Sequence, residues 1–119
     1  LPISTKPIVV ENTYNSFAIL SNLFSLKYKS NGVISEHSLI NTNCIYKQNI
    51  QIDPFVVIED NCLINENVII QSNCKIGPNV VIGSNSIIYS NSILQDCVIG
   101  SNCIIKSGAI IGGKDKSYR

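Results

Sequence analysis

Between Ile34 and Ile111 the apolar residues of this chain recur every sixth position, not every second or every three to four. Ile34, Ile40, Ile52, Ile58, Ile64, Ile70, Ile76, Ile82 and Ile88 share one register, and Tyr46 and Leu94 fill its other slots. An amphipathic helix repeats at about 3.6 residues and a half-buried strand at about two, so neither explains a period of six. A strict hexad is the pattern of a chain wound round a roughly triangular prism, a β-helix. The register slips once, because Leu94 and Ile99 are five apart; Ile99, Ile105 and Ile111 then resume the count. Three hexads make one coil, so the repeats predict a little over four coils and a prism about 20 Å tall at one strand spacing per coil.

Each slot of the hexad has a physical role. The β-branched isoleucines are expected to point into the prism and stack coil on coil. Three residues after each comes a corner, which holds Asn43, Asn49, Asn61, Asn67, Asn73, Asn79, Asn85 and Asn91, with Phe55 breaking the run and Asn102 continuing it after the slip. Asparagine tolerates left-handed φ better than other residues with a side chain, so its abundance reads as corner geometry, not as a ligand set. Pro54 and Pro78 also fall at corners, where no ladder donor is lost. Cys44, Cys62, Cys74 and Cys103 stand four after Ile40, Ile58, Ile70 and Ile99, and Cys97 stands two before Ile99, which is the same slot. Elsewhere that slot holds Ser38, Val56, Val68, Val80, Ser86, Ser92 and Ala109. The thiols therefore read as small buried side chains. With no Cys-x-x-Cys pair and one histidine, neither a disulfide framework nor a zinc site is expected.

Residues 1–30 do not follow the hexad. Pro7 to Val10 reads as a strand ending in a turn at Glu11-Asn12, and Asn12 or Thr13 can cap a helix running to about Leu26. Phe17, Leu20, Phe24 and Leu26 form its apolar stripe, with Tyr14 at its start. Ser30-Asn31-Gly32 is a turn signal and the expected hinge into the repeats.

Composition narrows the picture further. The net charge of +1 is scattered in both signs, which gives no nucleic-acid footprint. Apolar stretches of four residues or so are far short of a transmembrane segment. No basic start followed by an apolar run marks a signal peptide, so the cytoplasm is the expected location. The chain begins at Leu1 and contains no Met, so either its natural N-terminus precedes Leu1 or a noncanonical start codon is used, the first being the expectation.

The order of elements adds a resemblance. A strand ending in Val9-Val10-Glu11-Asn12, an aromatic helix Tyr14-Asn15-Ser16-Phe17-Ala18, a short linker and then hexads resembles the UDP-3-O-acylglucosamine N-acyltransferases of lipid A synthesis. The most specific match is the five-residue step followed by the segment from Val98 to Gly112, with Ser107-Gly108-Ala109 inside it. The resemblance implies an all-β, left-handed parallel β-helix of hexapeptide repeats over residues 31–113. It implies that residues 1–30 are the strand-helix remnant of an α/β uridine-nucleotide-binding domain, with residues 114–119 a tail. The left hand comes from the resemblance, since periodicity does not give it and the general crossover rule favours the right. It further implies a homotrimer without cofactor, in which acyl carrier protein donates a 3-hydroxyacyl group to the 2-amine of a UDP-sugar. The family's histidine base belongs to later coils; where its pattern continues Asp-Gly-Phe-Gly, this chain reads Lys114-Asp115-Lys116-Ser117-Tyr118-Arg119. A truncated member, inactive alone, is therefore expected, and whether the chain is itself an enzyme is left open.

No catalytic, nucleotide-binding or metal residue is assigned. His37, the single histidine, falls at a corner of the first hexad and reads as a solvated side chain. Tyr14 and Phe17 read as packing of a short helix before they read as a uracil platform. Cys97 and Cys103 have no histidine placed to activate them as nucleophiles. Lys114, Lys116 and Arg119 read as a frayed tail before they read as a contact for an acidic carrier. The alternatives are another hexapeptide-repeat sugar-nucleotide acyl- or acetyltransferase, or a non-catalytic structural β-helix. One histidine excludes the three-histidine metal site of a γ-class carbonic anhydrase, and Thr5, Thr13 and Thr42 make no ice-binding row.

Overall fold

A computed structural model of the chain describes residues 29–112. The strand and helix expected up to Leu26 and the tail 114–119 lie outside the described residues. Within them the first coil holds β1 (Leu39–Ile40), β2 (Ile45–Tyr46) and β3 (Gln51–Ile52). The second holds β4 (Val57–Ile58), β5 (Leu63–Ile64) and β6 (Ile69–Ile70). The third holds β7 (Lys75–Ile76), β8 (Val80–Ile82) and β9 (Ile87–Ile88). The fourth holds β10 (Ile93–Gln95), β11 (Cys97–Ile99) and β12 (Ile104–Ile105), and β13 (Ile110–Gly112) opens a fifth. The strands stack into three parallel sheets, one per side of the prism: β1-β4-β7-β10-β13, β2-β5-β8-β11 and β3-β6-β9-β12, here called faces 1, 2 and 3. Ile34 adds a parallel bridge to Ile52 at the top of face 3. This is the left-handed parallel β-helix expected from the hexads and the resemblance together.

The register of the sequence is the register of the stack. Partners are 18 residues apart above the step, as in Ile58↔Ile76 and Ile64↔Ile82. Across the step they are 17 apart, as in Ile82↔Ile99, Ile88↔Ile105 and Leu94↔Ile111. Like therefore sits on like down the axis. Ile58, Ile64, Ile70, Ile76, Ile82, Ile88 and Leu94 are fully buried. Ile50, in the small-residue slot, joins the same core.

Tyr46 corrects the expectation that every register slot is interior. It pairs with Ile64 but is 46% exposed, and Ile34 and Ile40 are only partly buried. β2 is the edge of face 2, with β5 its single neighbour. The opposite edge differs: Ile99 on β11 and Ile105 on β12 are buried although each strand has one neighbour in its sheet.

The corners behave as their asparagines require, with one instructive exception. Asn49, Asn61, Asn67, Asn73, Asn79, Asn85, Asn91 and Asn102 all have φ between 59° and 66°, and Phe55 shares the conformation at 67°. This turn aims the corner N–H at the coil above. Phe55 donates to the His37 carbonyl, Asn67 to Gln48, Asn79 to Asp60, Asn85 to Glu66 and Asn91 to Ser72. Asn43 was expected to share the geometry, yet neither it nor His37 has a positive φ. These first-coil corners close as local turns instead, with Ser38 N–H on the Ser35 carbonyl and Cys44 N–H on Asn41. Their N–H groups have no described coil above to reach.

The small inward slot proves to be a donor slot as well. Cys44 Sγ donates to the Glu59 carbonyl at 2.7 Å and Cys74 Sγ to Tyr89 at 3.1 Å. Ser86 Oγ donates to Gly100 at 2.7 Å and Ser92 lies 3.0 Å from the Lys106 carbonyl. Each reaches a carbonyl one residue past a register slot, in the coil below. Cys and Ser recur in this slot because both are small and both carry a donor.

Candidate functional site

Because the interior is packed with apolar side chains, chemistry on this prism is confined to corners and outer faces. The single imidazole stands at the corner between faces 3 and 1. His37 stacks on Phe55 of the coil below, with ring centroids 6.0 Å apart and planes at 29°. Its Nε2 lies 3.8 Å from Glu36 Oε2, and the two side chains are 63% and 88% exposed. An ion pair that open to water is worth little. A left-handed φ in a bulky aromatic is sterically costly, and Phe55 holds it while 64% exposed. The corner is thus an open platform, and among the described residues no carboxylate or carbonyl clamps the imidazole into one tautomer.

The other two corners carry amide ladders. Asn61 Nδ2 donates to Asn79 Oδ1, and Asn79 Nδ2 donates to Asp96 Oδ1, both at 2.8 Å. Asn49 donates in the same way to Asn67. The side chains satisfy one another down the stack, which leaves them little capacity for a ligand. Asp96 closes the longer ladder and is itself the corner of the five-residue step, with φ at 49° and its N–H on the Pro78 carbonyl. The shortened step also draws Gly100 over Gly83, so that a Cβ on Gly83 would meet the Gly100 carbonyl carbon at 2.5 Å.

The cysteines are chemically quiet. Cys62, Cys74, Cys97 and Cys103 are buried and Cys44 partly so. Burial pushes the thiols of Cys62 and Cys103 up to about 11 and that of Cys97 up to about 12, and raises Cys74 as well. Neither Cys97 nor Cys103 is a thiolate at neutral pH, as an acyl-carrying nucleophile must be. Among the described residues no three His, Cys, Asp or Glu side chains are grouped to hold a metal ion. No described helix is long and apolar enough to cross a membrane. Tyr14, Phe17, Lys114, Lys116 and Arg119 lie outside the described residues.

The fold defines a class, a hexapeptide-repeat β-helix. Within it, the family model described as the GMPPB C-terminal domain matches residues 58–114. No curated protein matches the sequence. Coil geometry and family match agree on a hexapeptide-repeat β-helix.

Proposed function

We propose that this chain contributes the β-helix of a sugar-nucleotide N-acyltransferase, which moves a 3-hydroxyacyl group from acyl carrier protein to the 2-amine of UDP-3-O-acylglucosamine. The observation that carries the reading is the five-residue step between β10 and β11, cornered by Asp96 and followed by the segment through Ser107-Gly108-Ala109. In that role the described coils are scaffold. They would act as a homotrimer in the cytoplasm, with residues 1–30 as the edge of a nucleotide-binding domain. N-acylation needs a base within hydrogen-bond reach of the amine, typically worth about 10²–10⁴-fold. His37 is a poor candidate, because it lies on an open corner with its ring on Phe55. The purified chain, given UDP-3-O-acylglucosamine and 3-hydroxyacyl carrier protein, is expected to show no turnover above background. Turnover lost on His37→Ala would overturn the scaffold assignment.

A second reading is favoured by the family match alone: a non-catalytic β-helix appended to another domain. Sequencing the gene on both sides of these codons separates the two. Further hexads bearing a histidine support the acyltransferase, and an unrelated catalytic domain upstream overturns it.

A further inference from the structure

The small inward slot forms three columns down the prism, and the five thiols are shared unevenly among them. Ser38, Val56, Cys74, Ser92 and Ala109 make one column, and Ile50, Val68, Ser86 and Cys103 another. Each of these holds a single cysteine, with no second one on a neighbouring coil. The remaining column reads Cys44, Cys62, Val80, Cys97. Val80 separates Cys62 from Cys97, but nothing separates Cys44 from Cys62. They immediately precede the register partners Ile45 and Leu63, and the Ile45 N–H donates to the Cys62 carbonyl at 2.9 Å.

The two sulfurs converge on consecutive carbonyls. Cys44 Sγ donates to the Glu59 carbonyl at 2.7 Å, and Cys62 Sγ lies 3.6 Å from the Asp60 carbonyl. Burial is first among the causes that raise the Cys62 thiol, and charge repulsion and hydrogen bonding from Cys44 add to it, which puts the two thiols in contact. Neighbouring strands lie about 4.8 Å apart, inside the roughly 4.4–6.8 Å that disulfides span between Cα atoms. The Cβ atoms must close to about 4 Å. β2 has room for that movement, because β5 is its single neighbour in face 2. The pair is also graded in access: Cys62 is buried and Cys44 only partly so.

We propose that Cys44 and Cys62 form a peroxide-oxidisable dithiol, whose disulfide clamps the first coil to the second. A peroxide ROOH oxidises the more accessible Cys44 to a sulfenic acid and leaves as the alcohol ROH. The Cys62 sulfur then attacks the Cys44 sulfur. The S–O bond breaks, and the hydroxide takes the Cys62 proton and departs as water. In sum two thiols lose two electrons and two protons, and the peroxide becomes one alcohol and one water. Cys44 gives up its bond to the Glu59 carbonyl in exchange for a covalent tie across the edge strand that carries the exposed Ile45 and Tyr46. A thiol reductant restores the open pair.

The clamp is tested by treating the full chain with one equivalent of hydrogen peroxide, alkylating the remaining thiols under denaturing conditions and mapping the peptides by tandem mass spectrometry. One intrachain bridge, Cys44–Cys62, is expected, reversed by dithiothreitol, with Cys74, Cys97 and Cys103 alkylated. The bridge should raise the urea midpoint by about 1–2 M, as closing a loop of this length does. Cys44→Ser keeps a small donor, which Ser86 and Ser92 already supply in the same slot. It should form no bridge, and its midpoint should not respond to peroxide. Should that variant lose its β signal in circular dichroism, the mapping and midpoint of the unaltered chain decide alone. A bridge from Cys62 to Cys97, a bridge between molecules, Cys44 recovered as sulfinic acid beside a free Cys62, or five alkylated thiols would each overturn the proposal. So would a Cys44–Cys62 bridge that leaves the midpoint where it was.

Discussion

Removing the side chain of Ile76 down to Ala should show how much of this fold resides in the axial column. Ile76 is fully buried and lies between Ile58 and Leu94 in register. The substitution deletes three carbons, about 2.4 kcal/mol of transfer energy at about 0.8 per buried methylene. A cavity term adds to this, and here the cavity has little room to relax. Glu59 N–H on the Ile76 carbonyl at 2.8 Å and Gly77 N–H on the Leu94 carbonyl at 2.7 Å hold the coil spacing on either side. The expected total is about 3–4 kcal/mol, inside the usual range for such changes. At a urea slope of about 1.5 kcal/mol/M the midpoint should fall by about 2 M. The control is Asn73→Gly, at an exposed corner with φ of 66° that glycine accepts, where the change should stay within about 0.5 kcal/mol. Equal midpoint shifts for the two variants, followed by circular dichroism, would refute the axial-column account.

Four further outcomes follow from the geometry. Asn79→Gly keeps the corner dihedrals but removes two side-chain hydrogen bonds of the ladder, one of them to the Asp96 carboxylate. It should cost about 1–2 kcal/mol, against a near-zero cost at Asn73 in the same urea assay. Gly83→Ala should destabilise by about 1–3 kcal/mol, because its Cβ meets the backbone of the next coil. Gly100→Ala, whose Cβ has its nearest neighbour at 3.6 Å, should be within about 0.5 kcal/mol of wild type; the reverse order of melting temperatures would contradict the close approach. Raised thiol values mean that the native state holds protons the unfolded chain releases. Stability should be complete below about pH 9 and fall as pH rises towards 11–12, with Cys97→Ala flattening that fall. A thiol reagent at neutral pH should label Cys44 first and the other four after denaturation; rapid native labelling of Cys62 and Cys74 would oppose the buried slot.

The β-helix was legible because its geometry gives every sixth residue the same surroundings, so the isoleucine column and the asparagine corners recur without ambiguity. What escaped the pattern lies where those surroundings stop repeating. Tyr46 holds a core slot by count but sits on the edge strand of face 2. His37 and Asn43 hold corner slots with no described coil above to receive a left-handed N–H. The amide ladder from Asn61 to Asp96 was equally invisible, since spacing says that side chains align but not that their amides pair. The burial of outward side chains on face 3 was illegible for a different reason. Ile69 and Ile87 occupy the same slot as Leu63 and Val81, and residue type does not distinguish a buried outward side chain from a half-buried one. Of the candidate chemistry, the cysteines were readable from their slot, and the open position of His37 from its corner.

The constant spacing of the coils bears on how the chain finds this structure. Each strand waits for a partner 18 residues on, or 17 across the step, and never for one further away. Loop-closure entropy grows with separation, so each added coil meets the same modest barrier however many precede it. Winding can start at any coil and spread in both directions, as in other linear repeats. The hazard is a frame error. Sliding the chain by one hexad still stacks isoleucine on isoleucine, so the core alone does not reject it. The five-residue step does. Its Asp96 corner fits below Asn79 and Pro78, and its Gly100 fits against Gly83. A slide of one hexad would set Tyr89 in the place of Gly83, where a Cβ has no room. The irregularity in an otherwise monotonous sequence is thus the index mark by which the coils are counted.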